Sequence, residues 1–238
     1  MPLEPEYIVG LDLGQRHDFT ALCVAERRRV RADAEPASQP ARFAAGVGSY
    51  DVVHLERLPL GTPYTDVPAR LWALLRAIEG ANQARQRPPA RTTFVVDQTG
   101  VGVAVVDILR AAGLAPVPVV IHGGDAASRG ADRSWRVPKR DLVGTVQVLL
   151  QGRRLRIAQG LALAPTLVAE LANFRASISL TTGHDSYGAA ADWREGHHDD
   201  LVLATAMACW YGESVRVPVA TVGSYFAQPP ERGPPLPR

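Results

Sequence analysis

Three acidic positions constrain how this chain can fold. Asp12 lies at the end of a strand-like run, residues 7–13, and Asp97 ends a second such run. The adjacent pair Asp199 and Asp200 opens an apolar, helix-like segment. A carboxylate at the tip of a buried strand is costly to desolvate, and a divalent cation is a usual compensation. The sequence therefore predicts a fold that brings these acids together.

The first third of the chain predicts an antiparallel meander of three strands. These strands cover residues 7–13, 19–26 and 50–58, and a short polar turn joins the first two. A helix is predicted to begin near Asp66, because an apolar stripe at helical spacing follows it: Leu71, Leu74, Leu75 and Ile78.

The middle of the chain predicts a parallel crossover unit. A strand over residues 92–97 precedes a helix that begins near Gly102 and stops at Gly113, and a buried strand over residues 117–121 follows. This order implies that the two strands are parallel. Residues 122–136 are rich in Gly, Asp and Ser without periodicity, so we predict a mobile loop there.

The last part of the chain predicts further helices, with a strand and a hairpin between them. In order, we predict a helix beginning at residues 137–139, an edge strand at 154–158, a helix at 165–175, a hairpin at 178–190 and a final helix at 199–211. Together they predict one α/β domain over residues 1–212. Residues 213–238 are rich in proline and predict an extended or disordered tail.

Composition narrows the class of protein. With 238 residues and 46% hydrophobic content, the chain can form one sizeable domain. No run approaches the roughly 18 apolar residues of a membrane span. The acidic N-terminus lacks the apolar core of a signal peptide, so we expect an intracellular protein without a membrane role. Cys23 and Cys209 lie in apolar segments, which favours buried thiols over a disulfide or a metal role.

Basic residues are distributed unevenly. Of 26 basic side chains, Lys139 alone is a lysine, and arginines cluster at residues 27–31 and 153–156. Arginine binds phosphate in a planar, bidentate manner, so these clusters suit a DNA backbone, although a solvated surface explains them equally well. Lys139 at a helix start would suit contact with a phosphate or orientation of a water, and chance placement is the alternative.

The acidic positions predict a site for two divalent cations. Mg²⁺ prefers carboxylate and water oxygens, and two ions roughly 3.5–4 Å apart can activate a water and stabilise a departing 3′-oxygen. We expect Asp12 to bridge the ions, with Asp97 and Asp199 each holding one. Asp200 is an outer or alternate ligand, and Asp18 would join through a water.

Each acid also has a plainer interpretation. Asp12 would cap a turn between hairpin strands, Asp97 would cap a helix, and the acids at the last helix would stabilise its dipole. The string Gly10–Gly14 is also similar to the first phosphate loop of actin-like ATPases. His197 and His198 are consistent with ligands, DNA contacts or exposed imidazoles.

Several strings taken together resemble one family, the nuclease domain of the large terminase subunit of tailed bacteriophages. The similar segments are residues 10–14, 18–22, 96–102, 137–142, 170–174 and 198–204. That family is ribonuclease H-like and similar to Holliday-junction resolvases. The resemblance implies an α/β fold with a mixed sheet, an antiparallel three-strand meander plus parallel strands, flanked by helices.

The resemblance also implies a function. It implies metal-dependent endonucleolytic cleavage of concatemeric double-stranded viral DNA during genome packaging, in the host cytoplasm. Asp12, Asp97 and Asp199 would be catalytic and would hold two Mg²⁺ or Mn²⁺ ions. The candidate DNA contacts or outer residues are Lys139, Arg140, His198, Arg153 and Arg154. Implied partners are an ATPase motor domain or subunit, the small terminase subunit and the portal.

The sequence differs from the full-length family in one feature, and this difference limits the activity that the resemblance implies. The chain lacks the Gly-x-x-x-x-Gly-Lys-[Ser/Thr] phosphate loop of packaging motors, so these residues do not predict DNA translocation. The alternatives are another ribonuclease H-like enzyme such as a resolvase or transposase, an actin-like ATPase fragment, and a non-catalytic DNA-binding module.

Overall fold

One mixed β-sheet organises the part of the chain that the structure describes. The computed structural model describes residues 5–14, 18–29, 48–181 and 199–214. The strands within these ranges are β1 (Glu6–Asp12), β2 (Ala21–Arg29), β3 (Gly48–Arg57), β4 (Arg91–Asp97), β5 (Pro116–His122), β6 (Ser128–Arg129), β7 (Trp135–Pro138) and β8 (Leu155–Ile157). They form one sheet in the order β6-β7-β5-β4-β1-β2-β3-β8.

The strand directions confirm the predicted topology. β1 pairs with β2 and β2 with β3 in antiparallel fashion, which is the predicted meander. β4 is parallel to β1, and β5 is parallel to β4 with α2 between them, which is the predicted crossover. A meander continued by parallel strands on its β1 side is a ribonuclease H-like mixed sheet. The α/β fold class is therefore confirmed.

Helices cover both faces of the sheet. They are α1 (Val67–Ala84), α2 (Gly102–Ala111), α3 (Lys139–Gln151), α4 (Ala164–Thr181) and α5 (Asp200–Ser214). One buried cluster joins α1 and α2 to one face, and a second joins α3, α4 and α5 to the other. Alternation along β1 separates the clusters, because Ile8 packs on the α5 side and Val9 on the α1 side. We call these the α5 face and the α1 face.

Helix α5 lies unusually close to the central strand. Residues 201–210 are all buried, so this helix runs through the interior instead of along the surface. A Cβ atom at Gly10 would overlap the carbonyl oxygen of Ala204. Glycine on β1 thus permits direct contact between strand and helix backbones. This contact fixes the height of the first turn of α5 above β1.

A β-bulge changes which face β3 presents. The register between β2 and β3 shifts where Val24 pairs with His54 while Ala25 pairs with Val52, so Val53 is the extra residue. Before the bulge, Val52 packs on the α5 face, and after it Leu55 does so. An inserted residue reverses the alternation of a strand.

Two predictions about local structure were wrong. The loop predicted over residues 122–136 contains β6 and the start of β7, which extend the sheet beyond β5. These strands have two and four residues, too few for a periodic pattern. β7 also takes residues 137–138, so α3 begins at Lys139.

The second error concerns the hairpin predicted over residues 178–190. Residues 178–181 belong to α4, and the rest of this segment lies outside the described residues. Of the predicted tail, residues 213–214 complete α5 and residues 215–238 lie outside the described part. The predicted edge strand is confirmed as β8, and both cysteines are buried free thiols as predicted. No helix in the described ranges is long and apolar enough to cross a membrane.

Candidate functional site

A row of side-chain positions crosses four adjacent strands beneath the start of α5. Asp12 pairs with Ala21 on β2, and Ala21 pairs with Arg57 on β3. Asp97 follows Val96, the β4 partner of Leu11, so it lies beside Asp12 at the same level. Neighbouring strands are about 4.8 Å apart. Across β4, β1, β2 and β3 the row therefore consists of Asp97, Asp12, Ala21 and Arg57.

The row faces α5 because of strand alternation. Ile8 and Gly10 both meet the α5 side, and Asp12 follows at the next period-two position of β1. Val95 lies on the same face of β4, which places Asp97 there too. The start of α5 brings Asp199 and Asp200 next to this row, because Asp200 binds Arg57 and both carboxylates interact with Asp12.

Like charges accumulate around Asp12. Desolvation raises the pKa of Asp12 well above its ordinary value, and the charges of Asp97, Asp199, Asp200 and Asp18 raise this pKa further, in that order. The structure thus brings all five acidic residues of the sequence hypothesis close enough to interact. Such a cluster of negative charge is costly without a compensating cation.

Lys139 supplies one positive charge at the edge of the cluster. Its Nζ lies 3.6 Å from Oδ2 of Asp199, and its helix α3 begins at this residue. Burial raises the pKa of the Asp199 carboxyl, Lys139 acts against that rise, and Asp200 adds to it. The lone lysine of the chain therefore lies beside a predicted site residue.

Asp200 faces a different cation. Arg57 Nε donates to Asp200 Oδ2 at 2.9 Å, and Arg57 Nη2 donates to Asp200 Oδ1 at 2.5 Å. The Asp200 side chain is 4% exposed, against 21% for Asp199. The adjacent carboxylates thus have different partners, Arg57 on β3 for one and Lys139 on α3 for the other.

Glu170 of α4 completes this arrangement. Its Oε1 accepts from Arg57 Nη2 at 2.5 Å, and its Oε2 accepts from the backbone N–H of Val202 at 3.1 Å, in the first turn of α5. Burial raises the pKa of Glu170 most and the charge of Asp200 raises it further, to about 7. The Val202 N–H and Arg57 act in the opposite direction and lower this pKa. The sequence analysis included Glu170 in a segment similar to the terminase family but predicted no role for it. It did not identify Arg57 as a residue of the site.

Asp97 does not cap α2 as its plainer interpretation predicted, because the N-cap of α2 is Val101 without a side-chain cap hydrogen bond. Oδ1 of Asp97 accepts from the backbone N–H of Thr99 at 2.8 Å, as in an Asx-turn at a strand end. A Cβ at Gly102 would overlap the Asp97 carbonyl oxygen, which explains a glycine at the start of α2. Asp18 is exposed and contributes through its charge.

The donor chemistry fits hard divalent cations, which prefer several carboxylate oxygens. As the side chains stand, no three acidic, imidazole or thiol groups in residues 5–14, 18–29, 48–181 and 199–214 are gathered tightly enough to hold an ion. Binding would therefore require carboxylates to turn, for example Asp97 away from Thr99. Repulsion between like charges favours such separation when no cation lies between them.

The predicted DNA contacts are dispersed. Arg140 Nη1 donates to Asp125 Oδ1 at 2.8 Å, on an exposed surface next to Lys139. Arg154 donates to Glu213 and to the Gly48 carbonyl, at the C-terminal end of α5, about 20 Å from the acidic cluster by helix rise. Arg154 therefore does not contact the acidic cluster.

Two further predicted DNA contacts remain. Arg153 is exposed in the turn between α3 and β8, with φ of 53°. It precedes Arg154 and lies at the same distant end of the domain. DNA contact by Arg153 or Arg154 outside the cluster stays a prediction. His198 lies outside the described residues.

Solved structures of terminase nuclease domains are similar in fold to this chain. No protein-family model matches the chain, and no curated protein matches its sequence. Among solved structures, the large terminase nuclease of thermophilic phage G20c is similar, with a TM-score of 0.49, 20% identity, and coverage of 88% of this chain and 82% of that chain. Its form with bound magnesium gives a TM-score of 0.48 at 19% identity, covering 87% and 82%. The human cytomegalovirus terminase nuclease domain, soaked in Mn, gives a TM-score of 0.44 at 12% identity, covering 86% and 82%.

Proposed function

We propose that this chain is a metal-dependent DNA endonuclease domain that cuts concatemeric double-stranded viral DNA during genome packaging. The observation that carries the proposal is the row of Asp97 and Asp12 beneath the first turn of α5, with Asp199 above it. In this arrangement negative charge accumulates where hard cations would be held.

The proposed ligands are Asp12, Asp97 and Asp199, with two Mg²⁺ or Mn²⁺ ions as cofactors. When bound, the ions would supply a water activated for attack and would stabilise the departing 3′-oxygen. Asp12 has neighbours on both sides, since Asp97 lies on the adjacent strand and Asp199 on the helix above. It is therefore the acid best placed to be shared.

Protein cations would orient the DNA. The Lys139 ammonium lies at the edge of the cluster, and Arg140 lies beside it at the start of α3. The acidic cluster itself repels phosphate, so DNA binding would require these cations together with the metal ions. We therefore expect weak binding that declines as salt concentration rises.

The packaging context rests on the family-like strings of the sequence. It makes an ATPase motor domain or subunit, the small terminase subunit and the portal the proposed partners, in the host cytoplasm. Without a phosphate loop in this sequence, we assign cutting and not translocation to these residues.

A plasmid assay tests the proposal. Supercoiled plasmid is incubated with the protein in Mn²⁺ or Mg²⁺, with EDTA as the control, and a four-way DNA junction is run in parallel. We expect nicked and linear plasmid in the presence of metal and intact plasmid in EDTA. Absence of metal-dependent cutting would contradict the proposal, and strong preference for the junction would favour a resolvase.

Lys139 gives a second test. Replacing it by methionine should lower nicking by about 10–100-fold, because a positioned cation next to the cluster is lost. Stability should change by less than about 1 kcal/mol, since this ion pair is partly exposed. Nicking rates and urea unfolding measure the two effects. Lys139→Arg, which keeps the charge, should retain more activity, and equal activity in all three proteins would exclude the role.

A further inference from the structure

Arg57 reaches the acidic cluster because of the β-bulge in β3. Counting in twos from Val52 would place residue 57 on the α1 face, whereas the extra residue Val53 turns Arg57 to the α5 face. Arg57 is then two strands from Asp12 in the same row, with the small side chain of Ala21 between them. The bulge therefore brings an arginine to the edge of the candidate site.

The contacts of Arg57 hold its side chain in one orientation. Its guanidinium binds both oxygens of Asp200, at 2.9 and 2.5 Å, and one oxygen of Glu170 at 2.5 Å. The guanidinium carbon also lies 4.8 Å from the centre of the Phe19 ring, one residue after Asp18. Bidentate pairing of arginine with a carboxylate sets orientation as well as distance. Arg57 thus connects β3, α4, α5 and the β1–β2 connection.

The contacts of Arg57 give the adjacent carboxylates Asp199 and Asp200 different orientations. Asp199 immediately precedes α5 and Asp200 is its first residue, and their carboxylates face different cations, Lys139 and Arg57. Arg57 and Glu170 hold Asp200 and the first turn of α5 toward β3 and α4. Asp199 is then turned toward Lys139 on α3.

We propose that Arg57 is a positioning residue that selects Asp199, and not Asp200, as the carboxylate of α5 that serves the Asp12–Asp97 cluster. This selection rests on the proposed cation site. Arg57 itself touches neither DNA nor cation in this account. Its effect is to keep Asp200 engaged, so that one carboxylate of the pair remains available.

The first test uses the metal-free chain. Melting temperatures are measured for Arg57→Gln, Asp200→Asn and the double variant. We expect each single change to lower the melting temperature by about 6 °C or more, because Arg57→Gln leaves two buried carboxylates without their cation and Asp200→Asn removes the bidentate partner of Arg57. The double variant should lose clearly less than the sum. The matched cycle of Arg57→Gln with Asp199→Asn should be additive within about 2 °C.

The second test measures binding of Mn²⁺ by electron paramagnetic resonance, which a merely structural role of Arg57 would not change in this pattern. Asp199→Asn should weaken binding at least about 10-fold, and Asp200→Asn less than about 3-fold. In the Asp199→Asn background, Arg57→Gln should restore binding at least about 3-fold, because it releases the Asp200 carboxylate. Arg57→Lys keeps one charge without the bidentate grip and replaces Arg57→Gln if that variant does not fold.

The outcomes separate this inference from the proposed function. Additive melting temperatures for Arg57 and Asp200, or equal loss of Mn²⁺ binding in the two aspartate variants, would overturn the selection by Arg57 while leaving a cation site in place. A parent chain that binds no Mn²⁺ would overturn the cation site and the selection together. Non-additivity and recovery of binding in the double variant would support the selection.

Discussion

Asp12→Asn is expected to reduce metal-dependent nicking of plasmid on the order of 10³-fold, which corresponds to about 4 kcal/mol of lost transition-state stabilisation. Asp12 ends the central strand β1, lies beside Asp97 and interacts with Asp199 above it. Asparagine keeps the size of the side chain but cannot be an anionic ligand. Nicking rates of parent and variant at equal Mn²⁺ concentration measure the loss.

The same substitution should stabilise the metal-free protein by about 1–2 kcal/mol. It removes one charge from a desolvated group that four other carboxylates repel. Mn²⁺ should then raise the melting temperature of the parent and have little effect on the variant. The matched control is Asp107→Asn, an exposed position on α2, which should leave both properties unchanged. A variant that nicks like the parent, or that is less stable without metal, would contradict this account of Asp12.

Gly10→Ala should destabilise the protein by about 3 kcal/mol and weaken Mn²⁺ binding. The added methyl group would overlap the Ala204 carbonyl oxygen, so α5 has to move away from β1. Movement of α5 also lifts Asp199 from the row that contains Asp12. Urea unfolding and Mn²⁺ titration measure the two effects.

Gly80→Ala provides the matched control for this prediction. Gly80 lies in α1, and apart from the neighbouring backbone of the helix itself no heavy atom lies within 4 Å of the position that a Cβ would take there. Alanine should therefore stabilise the helix by up to about 1 kcal/mol without affecting metal binding. If Gly10→Ala were as well tolerated as Gly80→Ala, the close contact of α5 with β1 would be refuted.

Periodicity and turn residues predicted most of the fold. The apolar runs of β1, β2 and β4 and the stripe of α1 are long enough to be recognised, and the order of the elements then implies the sheet topology. The ends of parallel strands share one edge of a sheet, so the meeting of Asp12 and Asp97 also followed from topology. β6 and β7 were missed because such short strands are defined by their partners and not by their own pattern.

The surroundings of the acids depended on long-range contacts that no local pattern reveals. Arg57 is 143 positions from Asp200 and 113 from Glu170, and a bulge reverses the face on which it lies. Likewise, the arginine cluster at residues 153–156 predicts phosphate binding from its composition. In the fold, Arg154 of this cluster donates to Glu213 and to the Gly48 carbonyl. Charge patterns alone do not distinguish arginines that bind a ligand from those that join elements.

Anomalous diffraction from a crystal soaked in Mn²⁺ would show directly whether the carboxylates hold cations. We predict anomalous peaks bounded by Asp12, Asp97 and Asp199, with Asp97 turned away from Thr99 and Asp200 still bound to Arg57. Ordered crystals with no peak among these carboxylates, or with peaks only elsewhere on the surface, would contradict this prediction.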